Sequence, residues 1–192
     1  MQLDVRKLTG EDLCAGAEPG RVFLAQLIAL TGDSPSLAEP LIIDFKSVTV
    51  ATASFLRESV FALRALLRSK KSNFYPVVAN ANAIIRDELG ILMPYGGDAL
   101  LSCSIENTGV VTNVHLIGRL DEKQKSIFDL ITSRGETDAG ALQREFGAAE
   151  GVQQTAWNNR LSGLASLGLI VEVNRGRAKR YHSLLKENEG GH

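Results

Sequence analysis

Residues 152–185 read VQQTAWNNRLSGLASLGLIVEVNRGRAKRYHSLL. Trp157, Leu161, Leu164 and Leu167 recur at spacings of four, three and three, which is one face of a helix running roughly from Val152 to Leu167. Gly168 follows where a helix end wants a left-handed residue. Leu169–Asn174 and Lys179–Leu184 then alternate around Arg175-Gly176-Arg177-Ala178, which predicts a hairpin. Working backwards, Thr137-Asp138 opens a shorter helix through Phe146 that Gly147 is expected to end. Leu120-Asp121-Glu122 opens another, with acids in its first turn where the helix dipole favours them. Ile127, Leu130 and Ile131 form its inner face, and Gly135 stops it.

Before Gly118 the texture differs. Residues 1–8 alternate like a short strand, and Gly20–Leu30 has helical spacing that ends at Gly32-Asp33-Ser34-Pro35. Leu41–Phe45 is a compact apolar run, read as a buried strand. Thr52–Ser69 repeats at 3.6, with Arg57, Glu58, Arg64 and Arg68 on its outer face. Tyr75–Ala79 reads as a strand and Asn82–Met93 as a helix. Leu100–Glu106 and Val110–Ile117 read as two strands turned at Asn107-Thr108-Gly109. Strands and helices alternate and a hairpin closes the set, which predicts an α/β sandwich with a mixed sheet. The whole chain is then α+β: an α/β domain at 1–117, a helical domain with a hairpin at 118–185, and a polar, disordered tail at 186–192.

Lys and Arg number 21 against 22 acids, so no overall basic charge marks a nucleic-acid coat protein. The distribution is uneven. Residues 1–118 carry a net −2, whereas 153–182 carry Arg160, Arg175, Arg177, Lys179 and Arg180 against Glu172 alone. The helix before that hairpin has an amide-rich outward face of Gln153, Gln154, Thr155, Asn158, Asn159 and Ser162, with no acid between Gly151 and Ile170. Such side chains both donate and accept, as base edges in a major groove require, while Arg and Lys suit phosphates. An ordinary exposed helix face carries Glu and Lys instead.

The order of three helices and a hairpin in about 65 residues is that of a winged helix-turn-helix. Residues 119–185 resemble the winged-helix domains of bacterial transcription regulators, and Thr155–Ile170 is similar to their recognition helix and its exit. The resemblance implies that Trp157, Leu161 and Leu164 are core, that Gln154, Thr155, Asn158 and Asn159 face DNA, and that the hairpin is a basic wing. Arg160 is read as a cap or a brace.

Leu41–Leu56, with an Asp-Phe strand end, a short loop and Ser-Phe opening a helix, resembles STAS domains, the fold of anti-sigma factor antagonists. It is closer to an uncharacterised STAS-like family. In the antagonists the loop reads Asp-Ser-Ser-Gly and carries a phosphorylated serine. Here Thr52-Ala53-Ser54-Phe55 stands in that place, so the serine position is Ala53. Thr52 and Ser54 are read either as simple helix caps or as an anion-binding switch loop.

No enzyme assembles from these residues. Asp44 at a strand end has no second acid, His or Lys at suggestive spacing, and His115 is a lone histidine in an apolar strand. Tyr95-Gly96-Gly97-Asp98 lacks the context of a phosphate cradle. Cys14 and Cys103 have no partner motif, so neither a metal site nor a cofactor is expected, and a reducing cytoplasm fits. No apolar run reaches the roughly 18 residues of a membrane helix, and the N-terminus lacks a signal-peptide layout. The expectation is a cytoplasmic, homodimeric regulator binding double-stranded DNA, with a STAS-like domain for a signal or protein partner. The Gly118-Arg119-Leu120 junction leaves little linker and implies a fixed joint. A scaffold whose two domains both bind proteins is the competing class.

Overall fold

A computed structural model of the chain describes residues 1–93, 97–176 and 178–185, with Arg175 described by its backbone alone. The expected tail at 186–192, Arg177, the Arg175 side chain, and Tyr95 and Gly96 of the expected turn lie outside the described residues. The chain is mixed α/β and divides into two compact units after Arg119.

In the N-terminal unit β1 (Gln2–Asp4), β3 (Glu39–Asp44), β5 (Phe74–Ala79), β6 (Asp98–Ile105) and β7 (Val111–Arg119) form one mixed sheet in that order. The first four are parallel and β7 runs antiparallel to β6. β2 (Leu13–Cys14) and β4 (Val50–Ala51) make a separate two-residue parallel pair. Each parallel strand is laid on the same edge as its predecessor, and right-handed crossovers then send every connecting helix to one face. The core agrees. Leu41 and Ile43 of β3, Phe74 and Val78 of β5, and Leu100 of β6 share one cluster with Phe23, Leu27, Phe55, Leu63, Ile85 and Leu89 from the helices. Residues 1–8 are not one strand: β1 stops at Asp4, whose carboxylate caps α1 (Val5–Thr9) by accepting from Lys7 N–H.

α2 (Ala17–Thr31) packs against a second long helix made of α3 (Ala53–Leu56), a π-helical turn at Arg57–Phe61, and α4 (Ala62–Ser69). Gly20 permits the approach, since a side chain there would set its first carbon 2.7 Å from the Phe55 carbonyl oxygen. Ser59 Oγ donates to that same carbonyl at 2.6 Å. The expected outward placement of Arg64 is corrected. Arg64 is buried and donates to both Asp98 carboxylate oxygens, at 3.0 and 2.6 Å, and to the Ala99 carbonyl at 3.0 Å. Arg68 also turns inward: it donates to the Ser72 and Phe74 carbonyls and lies 4.3 Å over the Tyr75 ring.

α5 (Ala83–Ile91) starts at Asn82, whose side chain accepts from Ile85 N–H. β7 is the last strand of the sheet and is bent. Asn113 has φ 51, the pairing slips between Ser102 and Ser104, and Gly118 has φ 98, where a side chain would come within 2.6 Å of the Asp98 carbonyl.

The C-terminal unit contains α6 (Glu122–Arg134), β8 (Glu136–Thr137), α7 (Ala139–Glu150), α8 (Gln154–Ser166), β9 (Ile170–Arg175) and β10 (Ala178–Ser183). β8 joins the hairpin to give the sheet order β8-β10-β9. Asp121 and Asp138 cap α6 and α7 by accepting from Gln124 and Ala141 N–H. Gly135 ends α6 as expected. Gly147 does not end α7; it lies buried inside the helix, and Gly151, left-handed at φ 64, is the stop. The inner face of α6 is Ile127, Phe128 and Ile131, with Leu130 only half-buried. Trp157, Leu161 and Leu164 of α8 are buried, beside Tyr181 of β10. No helix among the described residues is long and apolar enough to cross a membrane.

Candidate nucleic-acid interface

α8 begins abruptly. Gly151 ends α7, only Val152 intervenes, and Gln153 stands at the N-cap of α8 without a side-chain hydrogen bond. Burial of Trp157, Leu161 and Leu164 fixes the rotation of α8. Gln154, Thr155, Asn158 and Asn159 consequently lie exposed, as does Gln153 before them. The helical residues among them span an arc of about 140° on a helix about 20 Å long. Among the described residues none of these five side chains forms a hydrogen bond within the chain, and no acid interrupts the arc.

Two residues of the helix are otherwise engaged. Ser162 was expected on the open face, but it is half-buried with its hydroxyl 3.2 Å from Tyr181 Oη, tying α8 to β10. Burial raises the Tyr181 phenol above its usual pKa, which keeps it neutral. Arg160 is a brace: it donates to Glu150 of α7 at 2.7 Å and covers the Trp157 ring at 4.6 Å. Gln154 and Asn158 border a cleft of about 510 Å³ whose other walls are Ala178 and Lys179 of β10 and Asp138, Ala139 and Gly140 at the start of α7.

The hairpin is less free than its composition suggests. Lys179 Nζ lies 2.8 Å from Glu172 on β9, and that hydrogen bond holds the ammonium above its usual pKa. Arg180 donates to Glu136 of β8 at 2.6 Å. The negative charge opposite these two cations is the protein's own. Glu172 was visible in the hairpin sequence, but Glu136, 44 residues from Arg180, could be found only once β8 was seen to pair with β10.

No family model, curated protein or solved structure matches this chain. The geometry therefore stands on its own.

The other candidate loop is closed. Thr52 Oγ1 accepts from Gly16 N–H at 3.2 Å and Phe55 N–H at 3.4 Å and contacts Ser54 Oγ at 3.1 Å. Ala53 N–H donates to Glu88 Oε2 at 2.7 Å. A carboxylate of the chain already sits where an anion would bind, so Thr52 and Ser54 form a capped helix start rather than an anion seat. Asp44, 7% exposed, accepts from Gln2 Nε2, Lys46 N–H and Asn80 Nδ2, which ties three strand ends together. Its carboxylate, held by three donors, acts as a structural cap. His115 is exposed with Nδ1 2.7 Å from the Asn113 carbonyl. Burial, followed by the Asp44 carboxylate, pushes the Cys103 thiol up to about 11, so it stays protonated at neutral pH. Among the described residues no group of three or more His, Cys, Asp or Glu could hold a metal ion.

Proposed function

We propose that the chain is a DNA-binding transcriptional regulator. In this reading residues 118–185 are a winged helix-turn-helix with α8 as recognition helix and the β9–β10 hairpin as wing. Residues 1–117 are a STAS-like domain that receives a signal or protein partner and carries the self-association of a homodimer. The observation that supports it best is the run of five neighbouring amide and hydroxyl side chains on and before α8 that form no hydrogen bond among the described residues. Exposed polar groups are ordinarily solvated, but a face that excludes acids over this length suits approach to a polyanion. Gln154, Asn158 and Asn159 can each pair with adenine or read other base edges in the major groove, and Thr155 can serve either a base or a phosphate. Arg175, Arg177, Lys179 and Arg180 would supply position and affinity through phosphates.

Fluorescence anisotropy of the full chain on a duplex of about 30 base pairs tests this. Binding should appear at about 50 mM salt and weaken steeply by about 200 mM, with a slope near −0.9 per phosphate contact. No binding to random or genomic duplex at low salt rejects the reading. Sedimentation of the full chain at micromolar concentration checks the dimer.

The pairing of Lys179 with Glu172 and of Arg180 with Glu136 favours a second reading, a partner-switching or scaffold protein whose two domains bind proteins. Arg177→Ala with Arg180→Ala separates the two. Under the regulator reading it weakens binding to every duplex and flattens the salt slope by about one per lost contact. Under the scaffold reading there is no duplex binding to lose.

A further inference from the structure

A pocket of about 370 Å³ opens in the N-terminal unit among α1, β2 and α2. Phe23 and Phe55, each 1% exposed, form its floor, stacked with centroids 5.5 Å apart. Its rim is apolar and in water: Leu13 is 57% exposed and Val22 54%. A single exposed Leu or Val is ordinary on a protein surface. Here two of them flank a concavity whose volume falls within the range of small-molecule sites, about 300–1,000 Å³.

Polar groups give the pocket a direction. Gln26 lines the wall, and its Oε1 is buried without a hydrogen-bond partner. At the mouth stand Glu11 and Glu18. Glu18 is neutralised by Arg21 at 2.9 Å, whereas Glu11 forms no ion pair among the described residues. An apolar floor and a carboxylate at the entrance, unpaired among the described residues, together select an apolar body that carries a positive charge. An anionic molecule of the same shape meets Glu11 unfavourably.

We propose that this pocket binds a small hydrophobic amine, its ring or chain between Leu13 and Val22 over the Phe23–Phe55 floor and its ammonium beside Glu11. The site is independent of the nucleic-acid reading and stands or falls separately from it.

The test is a titration of the ¹⁵N-labelled full chain with tryptamine, which supplies an aromatic body, an N–H and an ammonium. Saturable shifts are expected at Leu13, Val22 and the Gln26 side-chain amide, with a dissociation constant of about 1 mM or tighter. Indole-3-propionate, the same ring with a carboxylate, should bind about tenfold more weakly or worse. Val22→Trp, at an exposed position, should fill the pocket and abolish saturation while the spectrum stays dispersed. Glu11→Gln, on the surface, should weaken tryptamine about threefold and serves if the first variant does not fold. Absence of saturable shifts at these residues, equal binding of the two indoles, or tryptamine binding unchanged in both variants overturns the proposal.

Discussion

Thr52 and Thr155 both stand at the start of a helix, and the protein treats them oppositely. Thr52 accepts from Gly16 and Phe55 N–H, and Glu88 from α5 takes the neighbouring Ala53 N–H. Among the described residues the side chains of Thr155, Gln154 and Asn158 form no hydrogen bond, and the N-cap Gln153 makes no side-chain cap. Helix starts carry unsatisfied N–H groups and a partial positive charge, so each must be filled from the chain, by water or by a ligand. At α3 the chain fills it. At α8 the position is left to solvent or to something that arrives. A helix start is informative about binding only after its internal partners have been counted.

The largest effect should come where the N-terminal unit has closed its polar groups most completely. Arg64→Ala removes the guanidinium held by Asp98 and the Ala99 carbonyl, and should cost about 3 kcal/mol in urea unfolding without altering duplex binding. A loss under about 1 kcal/mol would mean that the pair is screened and the contrast between the units overdrawn. On the open side, Gln154→Ala with Asn158→Ala should leave stability within about 0.5 kcal/mol. Discrimination between a selected duplex and a random one should fall by about 1–3 kcal/mol for each lost bidentate pair. If the double variant unfolds, those side chains support the fold after all. Thr52→Ala should cost about 1 kcal/mol, while Thr155→Ala should cost almost nothing. Equal losses at the two threonines would erase the comparison. A smaller change in binding than that of the α8 double variant is expected from Glu172→Gln, which frees Lys179. It should tighten binding to any duplex by about two- to fivefold and steepen the salt slope. Anisotropy unchanged in both respects would show that Lys179 never reaches a phosphate.

Much of the architecture was legible because its signals are local. Asp121 and Gly135 bracket α6, Asn82 opens α5, and Gly168 follows α8 with φ 77. β3 is legible as an apolar run, and β6 and β7 as two strands turned at Asn107-Thr108-Gly109. The failures have physical causes. Buried positions along the second long helix fall at Phe55 and Leu56, Ser59 and Val60, Leu63 and Arg64, then Leu67. That is a repeat of four, not 3.6, because the π turn at Arg57–Phe61 slows the rotation. A period of 3.6 sends Arg64 outward, whereas a period of four carries it to Asp98. β2, β4 and β8 have two residues each, too few for any alternation to show. Gly147 is no stop because it keeps helical backbone, its open side covered by the Gln143 side chain one turn back, whereas Gly151 adopts the left-handed conformation.

In the candidate interface the α8 face was readable because Trp157, Leu161 and Leu164 fix which side is buried. The state of the hairpin was not readable, because the partner of Arg180 lies on β8 and local charge counting cannot see it.

The bent last strand has a consequence for life at high concentration. A straight edge strand invites a second chain to add to it, and repeated addition ends in fibres. On β7 the bulge at Asn113, the slip opposite Ser102 and Ser104, and the left-handed Gly118 break the regular spacing of donors and acceptors that another strand would need. An added strand would meet a more regular edge at β1, on the far side of the sheet, than at β7. At the β7 edge the kinks disfavour strand addition, which is how sheet proteins commonly protect an edge.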